Sequence, residues 1–386
     1  MNRACPVCSG ANKKFLYQQN FGNKTIALME NYDVVICDSC GMAYADNIPS
    51  QDEFNNYYAV MSKWEFNYSG GAVSDDYENY FKKIVNFLTP HLKDKNARIL
   101  DIGCSTGCLL SKFKENGFNN LLGVDPSARC VETVKKLYNI EAVSKNIYNF
   151  NDKNKFDLII LSAVLEHLVD FTTAMGKIRT LLKDDGLLFV EIPDATRFDG
   201  YIFVPFQQFS IEHVNYFSCD SIKNLLSKFA FNIIEIKKDE NTVNQMVDPD
   251  IFVLSRKSEK IDYKLVKDNT CEEKLKSYIS LSSKLDLKLK DVIRKKLLDK
   301  NKMIIWGVGT HTQMLVGSGL DLSKVLYFVD SNARYWGKKI NGVEIKSPQD
   351  IKEDVPILIS TYSYQDEVAR QITEILKLKN EVIKIY

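Results

Sequence analysis

Arg98-Ile-Leu-Asp-Ile-Gly-Cys-Ser-Thr-Gly107 decides how this chain folds. Ile99, Leu100 and Ile102 form a short apolar run that stops at Gly103; beyond Gly107, Leu109, Leu110 and Phe113 follow helical spacing. A buried strand that ends in glycines and opens a helix lets a ligand approach the backbone at a helix N-terminus. About twenty residues on, where a ribose-binding acid belongs, Leu121-Leu-Gly-Val124 is a second apolar strand ending at Asp125. Its carboxylate can accept hydrogen bonds from the two ribose hydroxyls. Together the loop and the acid predict a nucleoside site. A dinucleotide fingerprint would place a glycine at position 105 for the pyrophosphate; Ser105 stands there, which favours a ligand without phosphate.

The alternation continues on both sides. Strands are predicted over 98–102, 120–124, 140–143, 156–161, 186–192, 231–237 and 251–255, and helices near 107–116, 127–138, 171–183 and 219–229. Repeated βαβ units imply a doubly wound α/β sheet, mostly parallel, with helices on both faces. The last two runs have no helix between them, so a terminal hairpin and one antiparallel strand are expected. This places one α/β domain over 96–258.

Three further regions flank it. Cys5-Pro-Val-Cys8 and Cys37-Asp-Ser-Cys40-Gly41 are two C-x-x-C knuckles, and Cys5, Cys8, Cys37 and Cys40 make a closed tetrahedral zinc set. Residues 1–60 therefore read as a zinc-ribbon-like module whose small core leaves much of its folding energy, on the order of 10 kcal/mol, to the metal. Residues 61–95 form an aromatic connector with one helix through Tyr77, Tyr80, Phe81, Ile84, Val85 and Leu88. In 259–300 the apolar set Leu275, Tyr278, Ile279, Leu285, Leu289, Val292, Ile293 and Leu297 predicts a linking helix pair with a charged outer face. Residues 301–386 restart the α/β pattern as a Rossmann-like domain: Met303-Ile-Ile-Trp-Gly307-Val-Gly309 echoes the first loop, and Val325-Leu-Tyr-Phe-Val-Asp330 the acid-terminated strand.

At 386 residues, with net charge +1 and no basic block, nothing suggests a nucleic-acid surface. No apolar run approaches the ~18 residues that span a membrane, and Met1-Asn-Arg-Ala-Cys5 lacks a signal-peptide core, so a cytoplasmic location is expected. The nine cysteines fit reduced thiols plus one metal site. A monomer or small homo-oligomer is the default.

A nucleoside without phosphate suggests S-adenosylmethionine, with its methionine part along the glycine loop, its ribose on Asp125 and its adenine near 144–148. Ile99–Gly107 resembles the first motif of class I S-adenosylmethionine-dependent methyltransferases, and Val124-Asp-Pro-Ser127 resembles their acidic second motif. Phe156–His167, which ends Leu-Glu-His, resembles the fourth strand, and Gly186–Asp194 the fifth. The resemblance implies that Asp101, Gly103, Cys104, Gly107, Asp125, Pro126, Asn146, Ile147, Ser162, Glu166 and His167 surround the cofactor. The larger arrangement, a four-cysteine module, this core and a C-terminal Rossmann-like domain, resembles nucleotide-sugar C-methyltransferases. In those enzymes the last domain helps hold the substrate's nucleotide, which implies that role for Gly307, Gly309, Thr310, His311 and Asp330. Glu212-His213 resembles the family's catalytic pair, Tyr216 follows it on the substrate side, and Tyr68-Ser-Gly-Gly71 echoes a Tyr/Ser-rich segment that closes over the ligand.

The chemistry of His213 can be argued on its own terms. Methyl transfer to an alcohol, or to a carbon beside a ketone, releases a proton, and an imidazole of ordinary pKa about 6.5 accepts it near neutrality. The expected activity is methylation of a nucleotide-linked keto sugar at carbon, with O-methylation of a surface-polysaccharide sugar as the alternative. An NAD-dependent oxidoreductase using the second loop, and a non-catalytic binding protein, are the readings from other classes.

Overall fold

A computed structural model describes residues 2–22, 28–60, 73–243, 246–260, 263–317 and 319–385. Near the N-terminus β1 (Lys13–Asn20), β2 (Asn31–Cys37) and β3 (Ala43–Asp46) form an antiparallel sheet, which a short strand from far along the chain, Asn215–Tyr216, extends by pairing Ala43 with Tyr216 and Tyr44 with Asn215. Helix α1 (Gln51–Val60) follows, begun by a capping box: Ser50 N–H donates to Glu53 Oε2 at 2.8 Å and Glu53 N–H to Ser50 Oγ at 3.4 Å. Helix α2 (Asp75–Leu88) then leads into the central domain.

The central sheet has seven strands: β4 (Ile99–Ile102), β5 (Leu121–Asp125), β6 (Glu141–Ser144), β7 (Phe156–Ser162), β8 (Leu182–Pro193) and, after β9 (Asn215–Tyr216), β10 (Phe231–Val243) and β11 (Met246–Lys257). Their order is β6-β5-β4-β7-β8-β11-β10, with β11 antiparallel to β8. This is the doubly wound methyltransferase sheet with the expected terminal hairpin. Helices α3 (Cys108–Glu115), α4 (Ala128–Tyr138), α5 (Phe171–Leu181) and α6 (Cys219–Lys228) fill the crossovers. Strand alternation divides the core. Leu100, Ile102 and Val190 face α5 and α6 through Met175, Ile178 and Leu225, whereas Ile99, Leu158 and Phe189 face α2 and α3 through Ile84, Leu88 and Phe113.

Residues 271–296 form one continuous helix, α7 (Cys271–Lys296), where a helix pair was expected. The stretch has no Gly or Pro to break it, and Lys276–Glu272, Lys290–Asp286 and Lys295–Asp291 are ion pairs at i,i+4 along it. It also does more than link: Cys271, Leu275 and Tyr278 are buried with Phe198 and Phe209 of the central domain. The C-terminal sheet comprises β12 (Met303–Trp306), β13 (Val325–Val329), β14 (Lys339–Ile340), β15 (Val343–Lys346), β16 (Ile357–Ile359) and β17 (Val382–Lys384), in the order β14-β15-β13-β12-β16-β17 and parallel except for β14. Helix α8 (Thr310–Gly317) follows its glycine loop, and α9 (Gln365–Arg370) runs into a π-helical turn at Gln371–Ile375. Among the described residues no helix is long and apolar enough to cross a membrane.

Candidate active site

A cavity of about 350 Å³ opens at the C-terminal edge of β4, β5, β7 and β8, where the strand order reverses and open α/β sheets bind ligands. Its first wall is the glycine loop. Gly103 and Gly107 both have positive φ, 79° and 86°. A Cβ on Gly103 would stand 2.8 Å from Val164, and one on Gly107 2.8 Å from Val134. Neither position admits a side chain, so the ligand meets backbone here.

Asp125 ties this wall together. Its Oδ2 accepts from the Ser105 N–H and its Oδ1 from the Ser127 N–H, both at 2.9 Å. Pro126, Asn146 and Ile147 line the same end, Asn146 locked by accepting from the N–H groups of Tyr148 and Asn149. Burial pushes the Asp101 carboxyl well above the usual carboxylate range, and Asp125 adds to the effect. Burial likewise raises the Cys104 thiol, a neutral packing group against Gly123.

The far end is acidic in a way that sequence reading missed. Glu191 at the end of β8 accepts from Ser162 Oγ at 2.6 Å, Asp250 on β11 from the Tyr80 hydroxyl at 3.0 Å, and Asp248 from Gln208 Nε2 at 2.7 Å. Burial raises the carboxyls of Glu191 and Asp250, and for Asp250 the neighbouring Glu191 and Asp248 raise it further. With Asp101, Asp125, Glu166 and Glu212, carboxyl groups among the described residues far outnumber the one lysine there, Lys145. A positively charged ligand, such as the sulfonium and ammonium groups of S-adenosylmethionine, would favour the ionised form of these raised carboxyls and so bind with them.

Glu212 and His213 form the opposite wall. Val214, the next residue, donates its N–H to Glu166 O at 2.8 Å, and its carbonyl accepts from Ala45 N–H at 2.9 Å and from Arg3 Nη1 at 3.2 Å. His167 Nδ1 lies 3.0 Å from Glu212 O, and the His167 and His213 rings meet edge to face at 5.0 Å. The Tyr57 hydroxyl donates to Glu212 Oε1 at 3.1 Å. A carboxylate and two imidazoles, from Glu166, His167 and His213, thus have their polar atoms within 4.8 Å of one another, an arrangement suited to moving a proton. Tyr216 stands behind this wall and off the cavity. Buried, it donates to His213 O at 3.0 Å and lies 2.9 Å from the Tyr32 hydroxyl. Tyr68 lies outside the described residues. Sequence reading passed over Tyr57 and its neighbour Tyr58 on α1, whose Ser50-x-x-Glu53 box was the available signal.

The second glycine loop repeats the first without joining this cavity. Gly307 has φ 104°, and Asp330 accepts from Val308 N–H at 3.0 Å and Asn332 N–H at 2.8 Å. Gly309 and Thr310 lead into α8. His311 turns inward: its Nδ1 meets Ser360 O, and burial holds its pKa down to about 4, so it is neutral and brings no positive charge to a phosphate. The domain does touch α1, the helix that carries Tyr57 and Tyr58. Burial raises the Tyr335 phenol, with Asp330 and Glu212 both adding to it, and Arg334 Nη1 bonds Val60 O at the end of α1.

In the N-terminal module Cys5 Sγ and Cys40 Sγ are 3.6 Å apart, Cys8 Sγ and Cys37 Sγ 3.5 Å, and all four sulfurs lie within 4.8 Å of one another. These separations exclude disulfides of about 2.05 Å. They approach the roughly 3.8 Å edge of a sulfur tetrahedron built on Zn–S bonds of about 2.3 Å, so the four thiols fit one metal ion. Gly41 (φ 75°) has no substitute beside them, since a Cβ would fall 2.2 Å from Asp268 O.

Comparison with known proteins gives matches over both α/β domains. Residues 74–236 match the family model described as a methyltransferase domain, and 299–383 match one described as C2185-like, N-terminal. The chain carries an S-adenosylmethionine-dependent methyltransferase domain. It is 20% identical over 372 residues to the C-methyltransferase NovU of Streptomyces niveus, covering 89% of this chain and 83% of that protein. It is also 23% identical over 254 residues to the tRNA U34 carboxymethyltransferase of Campylobacter fetus, covering 61% and 84% respectively. Among solved structures, the 1,6-didemethyltoxoflavin-N1-methyltransferase of Burkholderia thailandensis aligns with 58% of this chain and 96% of its own, at 14% identity and a TM-score of 0.43.

Proposed function

We propose that this enzyme methylates a sugar, in the first instance a nucleotide-linked keto sugar at the carbon beside its carbonyl, with His213 as general base. The observation that carries the proposal is the Glu212–His213 wall facing the glycine loop across one cavity, with a second acid-terminated loop domain touching the end of α1 through Arg334 and Val60 O. An acceptor held at His213 and a nucleotide held beyond it would use both halves of the chain. The similarity to NovU spans those halves as well.

S-adenosylmethionine supplies an electrophilic methyl group. The chain's residues do the rest. Gly103, Gly107, Asp125, Pro126, Asn146 and Ile147 hold the nucleoside and methionine parts. Cys104, Ser162, Glu166 and His167 line the passage to the acceptor, and His213 takes the proton that the acceptor must lose. Tyr57 fixes the Glu212 carboxylate beside it. Much of the rate comes from holding donor and acceptor in line. The Gly307–Gly309 loop with Thr310 and Asp330 serves the substrate's nucleotide. The four cysteines hold a structural zinc ion, with no open position for substrate.

A panel of nucleotide sugars with labelled S-adenosylmethionine, followed by mass analysis, tests the reading. C-methylation requires deuterium wash-in at the carbon next to the ketone; a methyl ether with no exchange would assign the O-methyl reaction instead. Tight NAD binding that Asp330→Ala abolishes, with methyl transfer unaffected, would move the C-terminal domain to redox chemistry.

A further inference from the structure

We infer that the hydroxyl of Tyr58 is a catalytic hydrogen-bond donor to the acceptor's carbonyl oxygen, an inference that rests on the keto-sugar reading above. Tyr57 and Tyr58 are consecutive on α1, their rings edge to face at 5.4 Å, yet their hydroxyls differ. Tyr57 is engaged with Glu212. The Tyr58 oxygen is buried with no hydrogen-bond partner among the described residues, although Tyr58 lines the cavity. A buried hydroxyl left unpaired is costly, and native proteins keep one chiefly where a ligand completes it.

Its position is not accidental slack. The α1 helix is clamped by one side-chain oxygen, Gln51 Oε1, which accepts from the Tyr148 hydroxyl at 2.6 Å and from the N–H groups of Val169 and Asp170 at 2.7 and 3.1 Å. The Tyr58 ring then packs edge-on against His167 at 5.8 Å, which places it in the group that holds His213. Burial raises the phenol well above its ordinary value, with Glu212, Tyr57 and Glu166 adding, so the hydroxyl keeps its proton and can offer it.

The step balances as follows. His213 takes the proton from the carbon beside the ketone, and the C–H electron pair becomes the new carbon–carbon π bond. The carbonyl π pair moves onto oxygen, where the Tyr58 O–H donates to it. The electrons then return as that carbon bonds the methyl group, and the broken C–S pair stays on sulfur, leaving S-adenosylhomocysteine. A donor aimed at an oxygen that gains charge only during reaction lowers the barrier without tightening substrate binding.

Tyr58→Phe removes this oxygen alone. Because the hydroxyl has no partner among the described residues, the melting temperature should stay level or rise and S-adenosylmethionine affinity should stay within twofold. The kcat on the keto sugar should fall roughly 10²–10³-fold with little change in KM, and deuterium exchange at the acceptor carbon without cofactor should slow in parallel. Turnover and exchange within threefold of wild type would overturn the role of Tyr58 and leave the keto-sugar reading standing. A wild-type enzyme that neither exchanges nor methylates any keto sugar would overturn that reading, and this role with it.

Discussion

His167 Nδ1 lies 3.0 Å from the carbonyl oxygen of Glu212, so a residue just after β7 fixes the peptide that carries His213. The bond also assigns His167: its Nδ1 donates to the carbonyl, and its Nε2, 3.8 Å from Glu166 Oε1, faces the carboxylate side. His167→Ala should therefore lower kcat about 10- to 100-fold, because a displacement of about 1 Å at a reacting group can cost 10²-fold. Cofactor binding, measured by calorimetry, should change by less than threefold.

Asp125 carries a different load. Its two carboxylate oxygens hold Ser105 and Ser127, and hydrogen bonds to a charged group are worth about 1.5–3 kcal/mol each. Asp125→Ala should weaken S-adenosylmethionine binding at least 100-fold in titration calorimetry and abolish the cofactor's protection against thermal unfolding. A Kd within fivefold of wild type would remove Asp125 from the cofactor site.

The buried acid end predicts a pH signature. A carboxyl whose folded pKa is raised, as burial does for Asp250, contributes its stability fully below the unfolded value of about 3.9 and loses it as pH rises through the folded value. Asp250→Asn should consequently melt higher than wild type at pH 7.5 in the absence of cofactor. The advantage should shrink steadily toward pH 4. An advantage independent of pH would mean that Asp250 keeps an ordinary pKa.

The four-cysteine module should hold one zinc ion per chain by elemental analysis. Cys40→Ser should reduce that content and lower the melting temperature. Gly41→Ala should do as much damage without touching a sulfur, since its Cβ would enter the Asp268 carbonyl at 2.2 Å.

The central sheet was legible because β4 and β5 are short apolar runs closed by Gly103 and Asp125, and α4, α5 and α6 have their own caps in Ser127, Asp170 and Ser218. The glycine loop, Asp125, Glu166, His167 and His213 were recognisable from their order along the chain, and they line one cavity. The acid end was not legible: Glu191, Asp248 and Asp250 meet only because β11 returns antiparallel beside β8. The Tyr57–Glu212 bond joins residues far apart in sequence, and no local pattern records it. The helix of 271–296 was mistaken for two because its charge density resembles a linker, while its unbroken backbone is an absence that periodicity does not reveal.

Ala43 and Tyr44 pair with Tyr216 and Asn215, and Arg3 reaches Val214 O from two residues before Cys5. The sulfur cluster and the Glu212–His213 wall are thus joined through one small sheet, while the glycine loop follows β4 of a different sheet. An ion stripped from the cysteines would be felt first as lost alignment at His213, with the cofactor still bound. Such a molecule would stay folded at its centre, occupied and silent.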